Sequence, residues 1–444
     1  MRKVLVLLLP VVFFLTTFAA RSADKYDDMK RIIGGVFVEK DGTLSNADAS
    51  AVKKHAQWMQ SMMLPIPPDL ADETPLRKIS LKKLNAAIRQ VAEEKGEFSD
   101  AIRYLAGLTD IQYVIAVPEE QDIILAGHGE GWTTDKEGNI IGTNTGQPVF
   151  VLECFLSVFR LWNSSGKQDI ISCAFETKPE TDAGLARLNR EFSGIDANSA
   201  GAYADALEKT FGNIPVVIKG IPATSRFAKM LAAADFKMKQ YALGLETPPV
   251  PMLPSYAGLI SAPPQKPMTQ FYLVPNYSTI QYDSKNLTWH LGEVKVQTLT
   301  ESEFSALHNN PNVKLDRAAS NWSGKFEAQF NALAKKQPVF AVLKNNMQLA
   351  LVCALISQEK LIEKTKCELP MFTDETKLRQ LVYPKPEAVP CRSMISKNGY
   401  STIVVCGGVE INPFPVFQKK QLDNKLDKER VPLMKMSGDS WYGK

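Results

Sequence analysis

The chain has 444 residues of ordinary composition, with 52 Lys and Arg against 48 Asp and Glu. Its formal charge of +4 sits at the ends: Arg2, Lys3 and Arg21 lie in the leader, and residues 419–444 carry seven Lys and Arg against four Asp and Glu. The body is near neutral, which excludes a basic face for nucleic acid, and the length supports a sizeable core in two or three domains.

Arg2 and Lys3 precede an apolar run over residues 4–18 and small residues over 19–23, the three-part layout of a secretory signal peptide. A membrane span needs about 20 apolar residues, so the mature chain is expected to be exported, periplasmic or secreted, after cleavage between Ala19 and Ala23. IIGGVFV (residues 32–38) predicts a strand, and Ser45 or Asn46 caps a helix carrying Val52, Trp58 and Met59. Ser80 caps a helix whose Leu81, Leu84, Ile88 and Val91 form an apolar stripe, and Ser99 caps a shorter one. Strands follow in IQYVIAV and DIILAG, then a hairpin pairing residues 132–134 with 139–142 around DKEG. Pro148 opens an apolar helix, VFVLECFLSVFRLW; DIISCAF is a strand, and residues 182–192 and 200–210 are helices.

Residues 216–245 are the pivot: a buried strand, a Pro-containing turn and a helix of about six turns. At about 100° per residue, Phe227, Met230, Leu231, Ala234, Met238 and Tyr241 share one stripe. Phe236 and Leu243 fall opposite, so the helix is expected to be covered twice, at a domain contact formed by Phe236, Asp235 and Lys239. Asp235 and Lys239 are i, i+4 partners, predicted to be a partly buried pair there.

Seven prolines between Glu246 and Met268 predict a semi-extended linker. Beyond it QFYLV, NLTWHL and EVKVQTL are strands, and residues 316–336 a helix with Trp322, Phe326 and Phe330 on one face. LALVCALI (residues 349–356) is a core helix and STIVVCGGVEI the last strand. Its Gly-Gly echoes IIGGVFV, so the two terminal strands are expected in one sheet, with Val36 near Val409. The charged tail reads as disordered.

Six cysteines in so long a chain make no disulfide framework. Cys154, Cys173, Cys353 and Cys406 lie in apolar runs; Cys367 and Cys391, in polar Pro-flanked surroundings, are the expected bridge. Four His and no C-x-x-C predict no metal site, and no cofactor is expected. No G-x-S-x-G elbow occurs, and the S-x-x-K at Ser80 is explained by helix capping. What remains is the hairpin mouth. His128, Glu130, Thr143, Asn144, Thr145 and Gln147 converge there with Trp132 beside them, an arrangement suited to a sugar, a peptide or an anion. Glu130 is the one acid/base candidate, and a carboxylate without a partner is poor support for glycoside hydrolysis.

The strings LRKISLKKLNAAI, IRYLAGLTDIQYV, ILAGHGEGW, GNIIGTNTGQPV, FAKMLAAADFKMKQYALGLE and PVFAVLKNNMQLALVCALI together resemble the planctomycete exported-protein family catalogued as domain of unknown function 1598. The resemblance runs over residues 32–411 and implies export but no activity. The family stretch looks like A-G-P-A-E-G-W, so His128 departs from it, while Glu130 and Trp132 match.

The expected fold class is α+β: mixed α/β units with mostly antiparallel hairpin strands, in two to three packed domains joined by a Pro-rich linker. The boundaries are a signal peptide at 1–22, an N-terminal α+β domain at 23–165, a small α/β unit at 166–245, the linker at 246–268, a C-terminal α+β domain at 269–415 and the tail at 416–444. The expected function is a non-enzymatic exported envelope protein that binds a partner protein or wall component, with no nucleic acid and no transmembrane segment in the mature chain. Its rival is an envelope hydrolase acting on a glycan or peptide through Glu130.

Overall fold

The computed structural model describes residues 29–164, 169–192, 199–260, 268–310, 312–396, 402–436 and 438–444. The signal-peptide expectation lies outside them. The fold is α+β. It opens with β1 (Ile32–Ile33), β2 (Val36–Val38), β3 (Leu44–Asn46), α1 (Ala49–Ser61), β4 (Thr74–Ser80) and α2 (Leu81–Glu93). Next come β5 (Tyr113–Val117), β6 (Asp122–Gly129), β7 (Trp132–Thr134), β8 (Ile140–Gly142), α3 (Leu152–Asn163), β9 (Ile171–Phe175), α4 (Pro179–Glu191), α5 (Ala200–Phe211), β10 (Asn213–Lys219) and α6 (Arg226–Leu243). The remainder is β11 (Met268–Tyr277), β12 (Gln281–Tyr282), β13 (Thr288–His290), β14 (Val294–Thr300), α7 (Glu301–Leu307), α8 (Arg317–Lys336), α9 (Pro338–Gln358), β15 (Ala388–Pro390), β16 (Ser393–Ile395), β17 (Thr402–Ile411), β18 (Gln421–Leu422), α10 (Leu426–Met434) and β19 (Tyr442–Gly443).

Two seven-stranded sheets organise the molecule. One runs β14-β11-β17-β9-β10-β15 with β16 added beside β17; within it β11 and β17 are parallel and the other pairs antiparallel. The other runs β18-β12-β13-β5-β6-β4-β19. The first draws strands from both the 166–245 and 269–415 stretches, and the second from 23–165, 269–415 and 416–444. These stretches therefore do not hold separate sheets, because long-range strand pairing ties them together, and one hydrophobic cluster spans them all. Part of the expected linker is core as well: Val250, Leu253, Tyr256, Ala257 and Ile260 are buried.

The described part of the tail is ordered, contrary to the sequence reading. Gly443 pairs with Lys78 and Tyr442 with Ile79, so β19 completes an edge of the second sheet. Leu433 of α10 joins Ile115, Val117, Ile124 and Ala126 in a small second core. The buried Arg430 reaches inward to the carbonyls of Ala116 (2.7 Å) and Leu287 (3.0 Å). Charge density pointed to disorder, but Arg430 finds backbone acceptors and Leu433 an apolar face, which offset the ordering entropy.

The two Gly-Gly strings do different work. Gly34 and Gly35 hold φ of 56° and 74° in the tight turn from β1 to β2. That hairpin, with β3, forms its own three-stranded sheet, so the terminal strands do not share a sheet. Because residues 44–46 are spent in β3, the cap of α1 is Asp48, which accepts from Ala51 N at 2.8 Å. Gly407 and Gly408 instead sit mid-strand. Gly407 has φ of 103°, and a Cβ on Gly408 would overlap the Cys173 carbonyl and Ala174. Gly408→Ala is therefore expected to lower stability by about 3 kcal/mol, read as a shifted urea midpoint. An unchanged midpoint would mean that β9 gives way freely.

The pivot helix is α6, capped by Ser225 (accepting from Ala228 N, 3.1 Å) and closed by Gly244 in the left-handed region. Its predicted stripe is buried, and so are Phe236 and Leu243. It touches β9 and β17 of the first sheet, helices α3 and α9, and β1 and β2, so it is covered on several sides rather than at one domain contact. Helix α9, long and apolar enough by composition to cross a membrane, is mostly buried and packs on α3, α6, α8 and β14.

His55 on α1 is buried, with Gly138 of the β7–β8 turn packed on its ring. Burial, then the charges of Arg226 and Lys229, hold the imidazole down at about 4, from 6.5. A depressed folded-state value means that the stability it confers is complete above pH 6.5 and is lost as pH falls through about 4. The expected loss is about 3 kcal/mol, and His55→Gln should flatten that part of the pH profile. Parallel profiles for the two proteins would show that His55 titrates alike folded and unfolded.

Candidate functional site

The hairpin forms as predicted, Trp132 pairing with Gly142 and Thr134 with Ile140, and its mouth gathers the expected residues. They are occupied with one another. Glu130 is fully buried; it accepts from the backbone N of Asn144 (2.6 Å) and Thr145 (3.1 Å) and from the Thr145 hydroxyl. Gly142 is glycine for the same reason, since a Cβ there would collide with the Glu130 carboxylate. Trp132 is core, edge-on to Tyr104 at 6.0 Å. Asn144 Nδ2 donates to Glu73 (3.0 Å), which also meets His128 Nε2 (2.9 Å); Thr109 Oγ1 lies 2.7 Å from His128 Nδ1. Thr143 Oγ1 donates to the Gly131 carbonyl, and the backbone N of Gln147 donates to Thr145 Oγ1. The convergence was legible in the sequence. Its purpose is structural: Glu130 is the acceptor around which the loop folds, which leaves it no open face for proton transfer to a substrate.

A better candidate lies on the sheet that holds β9, β11 and β17, where sequence reasoning placed no site. A cleft of about 400 Å³ opens over β9, β17 and β11. Gly408, opposite Ala174 and Tyr272, leaves backbone at that point of the floor, between Cys406 and Glu410 of the same strand. On one wall Tyr272 stacks on Phe304 of α7, centroids 3.7 Å apart and planes within 6°, while its hydroxyl donates to Gln270 Oε1 at 2.7 Å. On another, Glu410 meets His308 Nε2 at 3.1 Å, and burial raises the Glu410 carboxyl against that pairing. At the rim Glu176 lies 3.8 Å from Lys219, both largely exposed. A signal existed in alternation: Gln270 and Tyr272 are the positions of β11 that face away from Phe271 and Leu273, which are core.

Directly against the same strands lies the α6 pair expected to be partly buried. Asp235 and Lys239 are instead both in the core, paired to each other. Lys239 Nζ also donates to the Gly407 carbonyl (3.1 Å) and sits 3.7 Å from the centre of the Phe175 ring, a cation–π contact. Glycine is required at 407 by its φ of 103° and by the Phe271 backbone, which a Cβ would overlap. Asp235 Oδ1 finds no hydrogen-bond partner among the described residues. Burial outweighs pairing at both groups, raising Asp235 to about 6 and lowering Lys239. The third residue of the expected contact, Phe236, is buried on the same helix.

The expected Cys367–Cys391 bridge is absent: all six cysteines are free and buried, including these two, whose polar flanks misled. Among the described residues no group of three or more His, Cys, Asp or Glu is placed to hold a metal ion. No curated protein and no solved structure matches the chain. Residues 173–256, the stretch that carries Cys173, Phe175, Asp235 and Lys239, match the family model described as protein of unknown function (DUF1598), which supports the assignment made from the sequence.

Proposed function

We propose that the chain is an exported planctomycete cell-envelope protein, periplasmic or secreted, that binds a partner protein or wall component without transforming it. The sheet cleft is its recognition surface. One observation carries the reading: each acid in the cleft is already paired with a base, Glu410 with His308 and Glu176 with Lys219, over a floor that is backbone at Gly408. Such a surface offers aromatic, amide and charged contacts to a partner.

The test is in-cell photo-cross-linking from a reactive side chain at Gln270 in the full chain, with exposed Lys54 as the control position. A discrete adduct from 270 that is absent from 54, and lost with Tyr272→Ala, is the expected result. Self-links alone, or the same adducts from both positions, would overturn the reading. Release of glycan or peptide fragments from isolated envelopes, abolished by Glu130→Gln, would establish the rival hydrolase.

A further inference from the structure

We infer that Cys391 and Cys406 are a dithiol placed to close into a disulfide, a covalent tie between the crossing segment after β15 and the central strand β17. The observation is one of register. Strand β16 pairs antiparallel with β17 through Ser393 with Val404, Met394 with Ile403 and Ile395 with Thr402. The pairing ends at Ser393; extended two residues further, the same register would place Cys391 opposite Cys406. Directly opposed residues in an antiparallel pair have Cα atoms about 4.5–5.5 Å apart, inside the window of about 4.4–6.8 Å that a disulfide spans. Alternation puts Cys391 on the face of Ser393 and Cys406 on the face of Val404, so the thiols project to the same side.

A second, independent contact holds Cys391 in place. Its backbone N donates to the Gly212 carbonyl at 3.0 Å, pinning the segment to the start of β10 as it crosses back toward β17. Glu208 of α5, accepting from Ser393 N at 2.8 Å, fixes the next turn of the path. The two thiols also feel each other electrostatically, Cys406 helping burial to raise Cys391.

Cys406 lies at the floor of the cleft but is buried, so the oxidant reaches it when the segment over it opens locally. The oxidant is the disulfide of a thiol oxidoreductase or of oxidised glutathione. The Cys406 thiolate attacks one sulfur of that disulfide and displaces the other as thiolate; the Cys391 thiolate then attacks Cys406 Sγ and displaces the second. Two protein thiols lose two protons and two electrons, and the carrier disulfide becomes two thiols. Burial raises the Cys406 thiol to about 12, so closure is slow at neutral pH and accelerates as pH rises.

The in-cell state of this pair rests on the proposed export, because an exported chain meets an oxidising compartment. Its chemistry does not, and the experiment separates the two. Purified full chain is equilibrated with oxidised and reduced glutathione at defined ratios, quenched with an alkylating agent after unfolding, digested and mapped by mass. The expected result is a linked 391–406 peptide pair in the oxidised samples, lost on reduction, with Cys154, Cys173, Cys353 and Cys367 alkylated throughout. Recovery of both thiols alkylated at every ratio, or of either linked to another cysteine, overturns the inference. A bridge that forms with glutathione but is missing from protein alkylated in intact cells would leave the dithiol standing and count against export.

Discussion

Replacing Lys239 by methionine is expected to cost about 3–5 kcal/mol of stability, because it leaves a buried carboxylate without its cation. The deficit should depend on pH with a definite sign. Asp235 has a folded-state value raised to about 6 from 3.8, so the stability it confers is complete below the unfolded value and is lost as pH rises through about 6. Removing Lys239 raises Asp235 further, so the variant should approach wild type below about pH 4 and fall away from it above about 6. The double variant Asp235→Leu with Lys239→Met removes both charges and should recover most of the loss. Urea titrations at several pH values read all three. A loss under about 1 kcal/mol for Lys239→Met, the range of exposed pairs, would show that water reaches the pair.

Glu130→Ala should be the second large effect, about 3 kcal/mol or more, for the backbone N–H groups of Asn144 and Thr145 and the Thr145 hydroxyl would all lose their acceptor. Glu130→Gln keeps one carbonyl oxygen and should cost less. Hydrogen exchange at the Asn144 and Thr145 amides locates the damage, with protection expected to drop there before elsewhere. If Glu130→Ala leaves both stability and exchange untouched, the loop is not organised by this carboxylate, and its burial needs another account.

What could be read from the sequence was local. Ser80 and Ser99 cap helices where expected, accepting from Lys83 N and Ile102 N. The apolar stripes of α6 and α8 are core, and residues 349–356 are helical inside α9. Each of these signals is complete within about one helical turn or a short periodic run. What escaped depends on partners far along the chain. Nothing near Tyr442 announces β4, and nothing near Gly407 announces the Lys239 ammonium that its carbonyl accepts from. The hairpin mouth shows the same boundary: the meeting of Glu130 with residues 143–147 was readable from turn chemistry, but whether the carboxylate faced a ligand or its own loop was settled by backbone N–H groups, which every sequence has. For Cys367 and Cys391, composition stood in for distance and failed.

The pairing of residue 443 with residue 78 has a consequence for how the chain comes to be folded. Until the final strand arrives, β4 presents an unpaired edge and the small core under Leu433 is open to water. The central sheet likewise waits for β17 to slot between β9 and β11. Contacts this distant in sequence make folding slow and late. A chain threaded N-terminus first through a narrow pore would thus remain threadable for most of its length and commit to its native sheets only after nearly all of it has crossed.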